Sequence, residues 1–149
     1  YLQNNRNQID EDVVTDIAKF ILALTAADVD PRNIGGTDYI SLLEGKESNN
    51  QFGDDSMYND DFWAILALIS AGVPPNSENI QHSVSYIKNH QNEDGGWSWH
   101  DGPSDADNTA SAIIALIAAG ENKDSSVITD AVEYLKSQLD INGGFTFMG

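Results

Sequence analysis

Cysteine is absent from this chain of 149 residues. That absence excludes disulfides, thiolate zinc sites and a cysteine nucleophile. It leaves the compartment open, because a cytosolic protein and a secreted bacterial protein without disulfides both fit. Basic residues are scarce: seven Lys and Arg stand against 24 Asp and Glu, a formal net charge of −17. A field of that sign repels phosphate backbones and argues against nucleic acid as a partner. No run of 18 apolar residues occurs, so no membrane span is expected. The visible ends carry no secretory signal, although a domain cut from a longer protein would have lost one. The chain opens on Tyr1 without Met and stops at Gly149, and it reads as a single domain excised from something larger.

What the chain has in quantity is repetition. Leu22 to Asp28 recurs as Leu66 to Gly72 and again as Ile114 to Gly120, at steps of 44 and 48 residues. A second phrase follows each copy, beginning at Tyr39, Tyr86 and Tyr134. A Gly-Gly-aromatic turn closes the later two copies: Gln91, Gly95, Gly96 and Trp97, then Gln138, Gly143, Gly144 and Phe145. The first copy has only Gln51-Phe52-Gly53. A fixed period of this size marks stacked supersecondary units that cannot bury their apolar faces alone. The repeats run over about 10–58, 59–106 and 107–149.

Each repeat reads as two helices. The first is apolar on almost every side: Ala110 to Ala119 contains one polar residue, Ser111. A helix of that kind packs against more than one neighbour. The second is amphipathic, with Ile80, Val84 and Ile87 in one copy and Val127, Ala131, Tyr134 and Leu135 in the next, at the spacing of one buried face. The expected arrangement is an inner layer of apolar helices at 11–28, 60–72 and 107–120, covered by an outer amphipathic layer. Gly72 and Gly120 are placed to close inner helices in the left-handed conformation, and Asp30-Pro31 to do so in the first repeat. Ser77 and Asp124 or Ser125 are placed to start outer helices. The segment from Glu44 to Tyr58 reads as a mobile linker.

The phrase Gln-x-x-x-Gly-Gly-Trp/Phe followed by Asp-x-Thr-Ala resembles the prenyltransferase and squalene-cyclase repeat superfamily. Gln91, Gly95, Gly96 and Trp97 match its first part, and Asp107, Thr109 and Ala110 its second. Residues 21–36 resemble the repeat module of secreted or wall-attached proteins of Gram-positive bacteria. Residues 105–120 resemble both that module and the α-domain of cobalamin carriers such as transcobalamin and intrinsic factor. The resemblance implies an all-α fold, an α/α toroid of about six hairpins of which three are visible here as a partial or open ring. It also implies a secreted or cell-surface location.

Asp105-Ala106-Asp107-Asn108-Thr109-Ala110 resembles the Asp-x-Asp-Asp-Thr-Ala acid motif of class II terpene cyclases. There the middle aspartate protonates an alkene, which requires a raised pKa and a dry pocket. Asp107 holds that position and Asp105 the first, while Asn108 replaces the last aspartate. The competing reading makes Asp107 a helix N-cap whose oxygen accepts from a backbone N–H of the Thr109–Ser111 turn. The Gly-Gly-aromatic turns are read as architecture: Gly96 supplies positive φ, Trp97 and Phe145 fold back onto the helix pair, and Gln91 and Gln138 bridge to the neighbouring repeat. Tyr58, Trp63, Trp99 and His100 are candidate ligand-binding residues at one mouth of the array, where aromatics can stack on a sugar, a corrin or a peptide.

No cofactor is expected. The superfamily's Asp-Cys-His zinc site lacks its cysteine here, and His82, His90 and His100 show no ligand spacing. The acidic loop of Asp101, Asp105 and Asp107 offers hard oxygens to calcium without an EF-hand pattern. The resemblance of residues 21–36, the Asn108 departure and the half-length ring imply a non-catalytic binding or interaction module of an exported surface protein, with a small molecule, a glycan or a protein as partner. A terpene-cyclase-type enzyme fragment and a corrinoid-binding half-domain are the alternatives.

Overall fold

The computed structural model describes residues 9–145, so residues 1–8 and 146–149 of the expected single domain lie outside the description. Three helices form an inner layer: α1 (Val14–Ala26), α3 (Tyr58–Ser70) and α5 (Ala106–Ala118), with α3 packed against both of the others. Each pairs with an outer helix that follows it: α2 (Tyr39–Glu44), α4 (Glu78–Asn89) and α6 (Ser126–Ser137). The three helical hairpins expected from the repeat are present, with inner helices somewhat shorter than the apolar phrases.

Sandwiching explains the all-round apolar character of the inner helices. In α3 the side chains of Phe62, Ala64, Ile65, Ala67 and Leu68 are all fully buried. On α5, Ile114 and Ile117 are exposed (57% and 41%). They occupy the repeat positions that Leu66 and Ile69 hold in α3, where both pack against the core.

All three inner helices end in the same hydrogen-bond pattern. Gly72 N donates to Ile69 O and Val73 N to Leu68 O; Gly120 N donates to Ile117 O and Glu121 N to Leu116 O. Both glycines take positive φ, +83° and +94°, which closes the orphan carbonyls of the last turn. In the first repeat the residue that does this is Asp28, not Asp30-Pro31. Asp28 takes φ +54°, and Val29 N donates to Leu24 O. Aspartate is among the few residues besides glycine that visit this region. The Asp30 carboxylate instead accepts from Arg32 N and starts a short 3-10 turn, Pro31–Asn33. Ser77 and Ser125 do stand at the N-caps of α4 and α6, but neither side chain bonds the helix backbone.

The segment 44–58 is also different from expectation. It folds into a two-stranded hairpin, β1 (Glu47–Ser48) against β2 (Gln51–Phe52). Asn49 and Asn50 both have positive φ, +53° and +67°, the backbone of a turn that matches strand twist. Phe52 is fully buried, which ties the hairpin to the core.

In the Gly-Gly-aromatic turn the two glycines have different reasons. Gly95 supplies the positive φ, +86°, and a Cβ there would lie 2.6 Å from Asp130 O. Gly96 does not have positive φ, contrary to expectation. It is glycine because a Cβ would lie 2.6 Å from Ser104 Cβ and 2.9 Å from Thr109 Oγ1. Ser104 belongs to the loop that leads into the next repeat, and Thr109 to that repeat's inner helix. At the equivalent Gly144 the nearest such neighbour is an Asp140 carboxylate oxygen at 3.6 Å. Gly96→Ala should therefore lower stability by about 1–3 kcal/mol through overpacking, and Gly144→Ala should not. Thermal unfolding of the two variants measures the difference; equal behaviour would mean that the repeat contact yields freely.

Candidate functional site

The loop between α4 and α5 is fixed at many points. The Trp97 indole is fully buried and its Nε1 donates to Ile87 O at 2.8 Å. Trp97 N donates to Thr109 Oγ1 at 2.9 Å, and Asp105 N to Trp97 O at 2.9 Å. Asn92 Nδ2 donates to Gly102 O and to Ser104 Oγ, which in turn donates to Asp94 at 2.7 Å. Tyr58 N, at the start of α3, donates to Trp99 O at 2.8 Å, and the Tyr58 hydroxyl donates to the Asp101 carboxylate. The backbone that carries Trp99 is thus set by both neighbouring hairpins.

This loop forms one wall of a cleft of about 650 Å³. Trp99, His100, Asp105 and Asp107 all line it, together with Asp94, Ser98, Asn108, Tyr134 and Gln138. Four of the candidate catalytic and ligand-binding residues therefore meet in one place. The Trp99 ring is 44% exposed and stands edge-on to His100 at 3.8 Å between centroids. Burial, with Asp94 and Asp105 nearby, raises the pKa of the Tyr134 phenol.

The two aspartates of the acid-like motif have separate positions. Asp105, not Asp107, is the N-cap of α5: its carboxylate accepts from Asn108 N at 2.8 Å. Asn108 Nδ2 also donates to both Asp105 oxygens, at 3.0 and 2.8 Å. Asp107 sits in the first turn of the helix, exposed, and its carboxylate makes no hydrogen bond within the described residues. The expected bond from Asp107 to the Thr109–Ser111 turn is absent; only its backbone carbonyl is used, accepting from Ser111 Oγ at 2.8 Å. The reason is register: α5 begins at Ala106, which puts Asp105 in the cap. Asp105→Ala should cost about 1 kcal/mol of stability, as lost caps do. Asp107→Ala, at an exposed position, should change it by less than about 0.5 kcal/mol. Chemical denaturation of both variants tests the assignment, and the opposite order would return the cap to Asp107.

The other candidates lie apart. Tyr58 is buried and does not line the cleft; its ring lies 4.4 Å from that of His90 at a tilt of 37°, and burial and the Asp101 carboxylate push its phenol up to about 12. Trp63 lies in the sixth position of α3 under Lys19 Nζ, 5.2 Å from the ring centroid, so it joins α1 to α3. Gln91 does bridge repeats: its Nε2 donates to Gly95 O and to Val127 O in α6, both at 2.8 Å. Gln138 donates to its neighbour Ser137, and Phe145 is 55% exposed. Among the described residues no three His, Asp or Glu side chains come together as a metal site.

One titratable residue escaped the sequence reading. Asp61 is fully buried in the first turn of α3, accepting from Phe52 N at 3.1 Å and from Ser83 Oγ, while its Oδ2 has no partner. Burial pushes its pKa up to about 7, against the lowering effect of those two bonds. The available signal was position: Asp61 stands where the other repeats have Ile17 and Thr109. Because the folded state favours the protonated acid, Asp61 contributes stability that is complete below about pH 4 and lost as pH rises to about 7. Comparing wild type with Asp61→Asn by thermal unfolding from pH 4 to 8 should isolate that loss. Parallel profiles for the two proteins would show that Asp61 ionises normally.

Residues 7–147 match the family model described as the squalene-hopene cyclase C-terminal domain. No curated protein matches the sequence.

Proposed function

The chain belongs to the squalene-hopene cyclase C-terminal domain family, and within it we propose that this protein is a non-catalytic binding module whose site is the Trp99 cleft. The observation that carries the reading is the state of the two motif aspartates. A proton donor to an alkene needs a dry pocket and a polar network that holds its proton. Asp107 is exposed at the rim of an open cleft, and Asp105 is occupied by its cap bonds to Asn108. The buried acid of the chain, Asp61, is turned to Phe52 and Ser83 rather than to the cleft.

Family membership by itself supports the second reading, a terpene-cyclase-type enzyme fragment. Corrinoid binding draws its support from the resemblance of residues 105–120 alone. An exported, cell-surface setting is part of the proposal and rests on the resemblance of residues 21–36. Fold analogy does not decide between these functions.

Incubating the purified chain with squalene and with a polyprenyl alcohol, followed by product analysis, tests the central claim. No cyclised product is expected, and Asp107→Asn should leave both that outcome and the thermal stability unchanged. Turnover that vanishes in Asp107→Asn at unaltered stability would replace the binding module with the enzyme.

A further inference from the structure

The floor of the Trp99 cleft contains two hydroxyls that the protein leaves unused. Ser98 is 4% exposed and Tyr134 is 7% exposed, both line the cleft, and neither side chain has a hydrogen-bond partner among the described residues. Their hydroxyl oxygens keep contact with solvent through the cleft, so each is open to a hydrogen bond from outside the protein. Two free hydroxyls on one concavity suit a polar ligand, or water that a polar ligand displaces.

Three further features narrow its chemistry. Trp99 offers an exposed ring whose backbone is tied down at Tyr58, a flat apolar platform prepared in advance. The Asp107 carboxylate is a free acceptor at the rim. No Lys or Arg lines the cleft, and Asp94, Asp105 and Asp107 do, so anions are repelled. A ligand that stacks one flat face, supplies several hydroxyls and carries no negative charge meets all three conditions. A second cleft, of about 530 Å³ beside Asn59 and Asp60, has no aromatic side chain among its lining residues and includes Lys46.

We propose that the Trp99 cleft binds a neutral saccharide, with a pyranose ring stacked on Trp99 and its hydroxyls meeting Ser98, Tyr134 and Asp107. This rests on the binding-module reading and names the class of its ligand.

The test is calorimetric titration of the whole chain with maltotetraose, cellotetraose, mannotetraose and chitotetraose at millimolar concentration. Tetragalacturonate and geranylgeraniol serve as the anionic and apolar probes. At least one neutral tetrasaccharide should bind, and tetragalacturonate should not. Trp99→Ala should raise Kd about tenfold or more, equivalent to losing about 1.4 kcal/mol. Tyr134→Phe and Asp107→Ala should each raise it by a smaller factor, with thermal unfolding reporting that all three variants are folded. Absence of binding to every neutral tetrasaccharide overturns the proposal, as does binding that Trp99→Ala leaves intact. Trp99-dependent binding of geranylgeraniol alone removes the saccharide and leaves the binding module standing. Conversion of geranylgeraniol to a cyclised product removes both.

Discussion

The array depends on one contact: the backbones of Phe52 and Trp97 are each held by a side chain in the first turn of the following inner helix. Trp97 N donates to Thr109 Oγ1, and Phe52 N donates to Asp61 Oδ1. Each bond closes a buried donor that the turn itself cannot satisfy. Each also fixes where the next inner helix begins relative to the previous hairpin. Gln91 adds a second link from the same turn, reaching Val127 in the next outer helix. Glycine at position 96 follows from this, because the incoming repeat approaches so closely that no Cβ fits. The hairpins are therefore coupled by directional bonds as well as by apolar burial, and directional bonds set register where burial alone tolerates sliding.

The two versions of this contact differ in cost. Threonine both accepts from Trp97 N and donates to Trp97 O, so its hydroxyl is fully used. A carboxylate at the same place must be desolvated, and Asp61 retains an oxygen without a partner. Protonation relieves the charge, which is why burial dominates over the bonds from Ser83 and Phe52 in raising its pKa. The substitution follows the degenerate turn of the first repeat, where a hairpin ending in Phe52 replaces the Gly-Gly-Trp turn. The carboxylate accepts from both that hairpin and α4, a reach that a threonine hydroxyl does not have.

Legibility in the sequence followed how local the cause was. The three hairpins were readable because apolar periodicity and the C-cap glycines are written within single helices. The bridging role of Gln91 was readable because the turn recurs. The Asn49-Asn50 hairpin was masked by a polar composition that suits linkers equally well, although paired asparagines are themselves a turn signal. The cap was misplaced by two residues because Asp105 and Asp107 both precede an apolar run, and the choice between them is made by where Asp105 N pairs with Trp97 O. Tyr58 and Trp63 could not be separated from Trp99 by spacing, since what separates them is the direction each side chain takes from α3. The unused hydroxyls of Ser98 and Tyr134 come together only through the packing of the loop on α6.

The cleft arises from the same coupling that builds the fold. The connection from turn aromatic to inner helix spans six residues from Phe52 to Tyr58 and nine from Trp97 to Ala106. Both ends of each connection are pinned by the aromatic contact, so the extra length in the second cannot be absorbed along the chain. It forms a longer loop before α5, which Asn92, Asp94 and Tyr58 hold in one shape. Trp99 and His100 lie in that loop. A loop extended between two rigid anchors is a means of adding a recognition surface to a repeat without disturbing its packing. The acidic residues around it then act by exclusion: with no cation in the cleft, they leave stacking and hydroxyl contacts as the interactions available to a ligand.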